Sequence, residues 1–116
     1  MTLPEKYGYE FVLATARQIE RDLSLEENSI DLSGHASEAY HELLGQLEPI
    51  VRRLMQNDSH FQSLLYRVDI NEQAYRKLLA SGDKPGFSKT MAEAIIQREF
   101  QKVLTRKYFS DKNKSR

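Results

Sequence analysis

Apolar residues return every third or fourth position along almost the whole of this 116-residue chain. That spacing places them on one side of an α-helix and rules out the strict alternation of a half-buried strand. Five stretches carry the pattern clearly. Tyr9, Val12, Ala16, Ile19 and Leu23 form the first stripe, broadened by Phe11 and Leu13, within a helix expected from about Pro4 to Leu23. Tyr40, Leu43, Leu44, Leu47, Ile50, Val51, Leu54 and Met55 form the second, from about Ala36 to Gln56. Phe61, Leu64, Leu65 and Val68 mark a short helix, and Ala74, Tyr75, Leu78 and Leu79 mark another. Ala92, Ile96, Phe100, Val103, Leu104 and Tyr108, widened by Met91 and Ile95, predict a last helix from Ser88 to about Phe109.

The breaks between these stretches carry helix-boundary chemistry. Thr2–Glu5, Ser59–Gln62 and Asp69–Glu72 have the spacing in which a side chain at the helix start and a carboxylate or amide three residues on satisfy each other's backbone donors. Ser24 to Gly34 has no period and is expected to be a loop. Pro49 lies inside the second stripe, where it removes a donor and crowds the carbonyl of Gly45. One helix kinked near Pro49 is expected, with a break into two helices as the alternative. The chain has only three prolines and five glycines, too few for the many turns of an all-β domain. The fold class is therefore all-α: a compact bundle of about five helices, three long and two short. Residues 1–109 are expected to form a single domain, with 110–116, which has no apolar residue, as a frayed basic tail.

Composition narrows function mainly by exclusion. There is no cysteine, so disulfides, thiolate metal sites and cysteine nucleophiles are out. The first ten residues lead into no signal-peptide core, and the longest apolar run, Phe11 to Ala14, is far too short to span a bilayer. No membrane association and a cytoplasmic location are the default expectations. No nucleophile elbow, phosphate-binding glycine loop or paired-histidine zinc helix occurs. Glu26 and Glu27 fall in the predicted loop, where solvation would leave them ordinary carboxylates. No catalytic residue and no cofactor are assigned.

Charge is the unusual feature. The formal net charge is zero, yet residues 1–50 carry three basic and ten acidic side chains, and the remainder is basic to the same extent. Arg98, Lys102 and Arg106 stand at four-residue intervals on the last helix, and Lys107, Lys112, Lys114 and Arg116 continue the positive field. One explanation is structural: acids near helix starts and bases near helix ends compensate the backbone dipole, and the acidic first helices can face the basic last one. The other is binding. The leading expectation is a non-enzymatic protein-interaction module that binds a protein partner or pairs with itself as a homodimer, using charged and aromatic faces. Arg98, Lys102, Arg106 and Lys107 are its candidate contacts, with Tyr7, Tyr66 and Phe109 as candidate aromatic anchors. The second expectation is weak, sequence-tolerant nucleic-acid binding by the same basic column and tail. The third is a metal site: Glu38 and His41 have the Glu-x-x-His spacing of carboxylate-bridged bundles, with Glu10 and Glu99 as further ligands and a dimer supplying the second motif.

Overall fold

A computed structural model describes the backbone of residues 8–81 and 86–114, and the side chains of residues 8–80 and 86–107. Five helices follow in order: α1 Gly8–Asp22, α2 Ala36–Leu54, α3 Asp58–Val68, α4 Glu72–Ser81 and α5 Phe87–Lys114. Among the described residues there is no strand. The long α5 lies along both α1 and α2, which also pack on each other; α3 touches all three long helices, and α4 rests on α5. The fold is the all-α bundle that the spacing predicts. No helix among the described residues is long and apolar enough to cross a membrane.

The stripes meet in one core. Ala16, Ile19, Leu43, Leu47, Val51, Phe61, Val68, Met91, Ile95 and Ile96 are shut off from solvent, and Leu23, Leu64 and Leu65 nearly so. The stripe on α4 is shallower: Tyr75 is buried while Leu79 is 48% exposed. Near the chain's start, Phe11 meets Phe100 edge to face, with ring centroids 6.2 Å apart. The expected cap at Thr2–Glu5 lies outside the described residues.

Two helix starts differ from the sequence reading. Asn57, not Ser59, caps α3: its side-chain oxygen accepts from the backbone N–H of His60 at 3.2 Å. Asn71, not Asp69, serves α4, accepting from the Ala74 N–H at 2.8 Å. Both corrections have one cause, because asparagine accepts from the third residue along as well as serine or aspartate does. Asp69 instead ends α3, in the left-handed conformation at φ 77°, and the following Ile70 N–H reaches back to the Leu65 carbonyl at 2.9 Å.

Helix α2 runs unbroken through Pro49, so the two-helix alternative falls. Gly45 has open space where a Cβ would stand. At the other end of the chain, α5 keeps helical backbone through Lys114, beyond the Phe109 boundary expected. Ser110 to Lys114 lacks apolar residues but also lacks proline and glycine, so nothing local stops the hydrogen-bond ladder.

The connection from α1 to α2 is more than a surface loop. Ser24 turns the chain at φ 58°, and the Leu25 N–H closes on the Glu20 carbonyl at 2.8 Å. Ile30 and Leu32 then enter the core. This excursion is held by a buried carboxylate: Glu20, 2% exposed, accepts from the Asn28 N–H at 3.0 Å and the Ile30 N–H at 2.8 Å. Arg17 completes the arrangement with one guanidinium nitrogen, 2.6 Å from Glu20 and 3.0 Å from the Ile30 carbonyl.

Candidate functional site

The basic column on α5 is divided by its packing. Arg98, nearest the start, turns to α3's end, donating to the Asp69 carboxylate and, at 3.3 Å, to the Asp69 carbonyl. Lys102 turns inward. Its ammonium donates to Asp22 Oδ2 on α1 at 2.6 Å and to the carbonyls of Arg67 and Val68 at 3.2 and 3.3 Å. Those three bonds use its three protons, and they join α1, α3 and α5 at one point. Part of the opposed charge of the two halves is therefore matched inside the bundle.

Glu99 sits beside this junction with no solvent exposure. Lys102 Nζ is 2.7 Å from its Oε1, but neither Glu99 oxygen takes part in a hydrogen bond of proper geometry. The charge form is correspondingly disfavoured. Burial pushes the Glu99 carboxyl up to about 8, reinforced by the neighbouring Asp22 and only partly opposed by Lys102. Asp22 goes the other way: burial alone would raise it, but the adjoining Glu99 carboxyl and the bonds from Lys102 and Gln18 hold it below the usual carboxylate range. Lys102 is raised, since its two carboxyl neighbours outweigh the burial that would lower it. Near neutrality the site is a neutral carboxylic acid, a carboxylate and an ammonium.

One turn further along, Arg106 and Lys107 remain exposed. They meet Arg17 and Arg21 of α1 across a groove of about 380 Å3 whose floor includes Ala14 and Val103. Gln18 links an arginine from each side of it. Its side-chain nitrogen donates to Asp22 at 3.1 Å, which fixes the amide so that its oxygen faces outward. Arg21 and Arg106 both donate to that single oxygen, at 2.8 and 2.7 Å. Two cations thus converge on one neutral acceptor. Among the described residues no carboxylate lies within ion-pair reach of Arg21, Arg106 or Lys107, whereas Arg17 is neutralised by Glu20.

Of the four basic candidates, the structure brings Arg106 and Lys107 to one groove and sets Arg98 and Lys102 into internal pairs. It adds Arg17 and Arg21, which sequence reasoning missed. Their four-residue spacing on α1 was visible; the pairing of that face with α5 was not.

The other candidates disperse. Glu38, His41 and Glu10 are exposed, and Glu99 is in the core. Among the described residues no three histidines or carboxylates stand together as a metal would require, so the Glu-x-x-His spacing on α2 gathers no further ligand. Glu26 and Glu27 are exposed on the loop, as expected. Tyr66 is 82% exposed, at the lip of a cavity of about 350 Å3 between α3 and α4 that also involves Leu65, Ile70 and Tyr75. Tyr7, the Phe109 side chain and the basic side chains of the tail lie outside the described residues. Comparison of the chain with protein-family models, curated proteins and solved structures finds no match.

Proposed function

We propose that this chain is a non-enzymatic helical interaction module that engages an anionic partner protein through the groove between α1 and α5. The observation that carries the proposal is the set of cations there that have no carboxylate partner among the described residues: Arg21, Arg106 and Lys107 stand over an aliphatic floor. A helix face with unmatched charge steers and orients an oppositely charged partner. Catalysis finds little to work with by comparison, since the carboxyl with the most displaced pKa, Glu99, is out of reach of any substrate.

The test compares the native protein with an Arg21→Glu, Arg106→Glu double variant, each recovered from its own cell with and without nuclease. Protein partners that survive nuclease and disappear in the variant are the expected result. Identical recovery by both forms overturns the proposal. A matched thermal melt checks that the variant is folded, and both residues are exposed.

A second reading is a weak nucleic-acid contact. It draws on the helical backbone that continues from Arg106 and Lys107 through Lys114, over a stretch whose sequence adds Lys112 and Lys114. Deleting residues 110–116 then flattens the salt dependence of binding. An absence of binding at low salt ends this reading.

A further inference from the structure

The geometry points to a phosphate group as the moiety that the α1–α5 groove accepts, gripped between Arg21 and Arg106. This inference rests on the groove reading above and names the chemistry of its occupant.

Gln18 is the first reason. Its oxygen is approached by two guanidinium groups at once, an arrangement in which the two positive charges repel and one neutral oxygen does little to offset them. An anion placed over the pair relieves that repulsion. The arrangement is already built, because Gln18 is anchored from below by Asp22, and Asp22 is in turn anchored by Lys102. Guanidinium groups suit a tetrahedral oxyanion, giving paired N–H donors to separate oxygens.

Local charge is the second reason. With Arg17 offset by Glu20, Arg21, Arg106 and Lys107 remain without a carboxylate among the described residues, and that excess suits a dianion better than a single carboxylate. The surroundings also argue against an extended polyanion. Arg17 and Arg21 line a neighbouring cavity together with Glu27, so a nucleic-acid backbone leaving the groove on that side would pass a carboxylate. A single phosphate avoids it. The aliphatic floor at Ala14 and Val103 offers contact to whatever carries the phosphate, which favours a phosphorylated side chain over a free ion.

The experiment is an NMR titration of the whole protein with phenyl phosphate, inorganic phosphate, benzoate and a single-stranded oligonucleotide. Phenyl phosphate is expected to shift the backbone amides around Arg21 and Arg106, and to bind about tenfold more tightly than benzoate. Arg21→Gln and Arg106→Gln each weaken it about tenfold, while Arg76→Gln, an exposed arginine paired with Glu72 on α4, changes nothing. Tighter binding of phenyl phosphate than of inorganic phosphate assigns the group to a phosphorylated side chain; equal binding assigns it to free phosphate. Equal binding of benzoate, equal loss in the Arg76 variant, or no shift with either phosphate overturns the inference. So does oligonucleotide binding that is far tighter and steeply salt-dependent, since the occupant is then a nucleic-acid backbone. If phosphate fails while partner recovery still depends on Arg21 and Arg106, the interaction module stands and only its ligand chemistry falls.

Discussion

Glu20 on α1 and Glu99 on α5 are equally hidden, at 2% and 0% exposure, yet their surroundings differ in kind. Around Glu20 the chain supplies everything a carboxylate requires: two backbone N–H groups from the following loop and one arginine. Around Glu99 the nearest cation has already given its protons to Asp22 and to the end of α3, and neither oxygen is properly bonded. The first carboxylate organises structure through its charge. The second is tolerated by giving its charge up. Burial alone therefore says little about what an acidic residue contributes; the donors left available to it decide.

The same isosteric change separates the two. Glu20→Gln puts an amide N–H against donors, and is expected to destabilise by about 3–5 kcal/mol in urea unfolding at pH 7, as when one partner of a buried charge network is removed. A loss below 1 kcal/mol would break the comparison. Glu99→Gln is expected to stabilise at alkaline pH, because an amide donates to Asp22 without ionising.

The pH dependence has a definite sign. The folded protein holds the Glu99 proton up to about 8, against 4.5 for an ordinary glutamate. Native stability therefore declines as pH rises from 4.5 through 8 and levels off beyond. Asp22, held low when folded, acts oppositely: its contribution is present above 3.8 and is lost as pH falls through its depressed value. Stability should peak in mild acid, and Glu99→Gln should flatten the alkaline side, with a gain on the order of 2–4 kcal/mol at pH 9. Melting curves from pH 2 to 9 measure both effects; a native protein equally stable at pH 5 and 8 contradicts the assignment.

Smaller effects sharpen the contrast. Lys102→Met leaves two carboxyls without their ammonium and uncaps α3, for an expected loss of about 1–3 kcal/mol. Adding Glu99→Gln should recover part of that loss, and strict additivity of the two changes would show them to be uncoupled. Asn28, whose N–H serves Glu20, is in the left-handed region at φ 64°. Glycine there eases the backbone while keeping the N–H, so Asn28→Gly should move stability by no more than about 0.5 kcal/mol.

How far the sequence foretold all this varies with the kind of interaction. Helix interiors were legible because burial of one face imposes a period, as on α3, where Phe61, Leu64, Leu65 and Val68 are all buried. Helix starts were legible only to a residue or two, since Asn57 and Asn71 cap as readily as the neighbours that match the reciprocal pattern. Ile30 and Leu32 gave no periodic signal; an aperiodic stretch reveals its burial only through the partner it packs against. The buried acids did leave a trace. Glu99 falls in phase with Ala92, Ile96 and Val103, and Glu20 falls four residues after Ala16, so each occupies a core position. The groove between α1 and α5 depended on which faces of the two helices meet, a tertiary fact that no single helix encodes.

The tether between Glu20 and the Ile30 amide has a dynamic consequence. A segment without regular structure ordinarily exchanges its amide hydrogens within moments, opening on its own while the rest of the molecule stays closed. Here that amide is released only when α1 lets go of a charge it cannot leave bare in the interior. Deuterium uptake at Ile30 should accordingly be as slow as at Ile19 or Leu47, making this irregular stretch one of the last places to open.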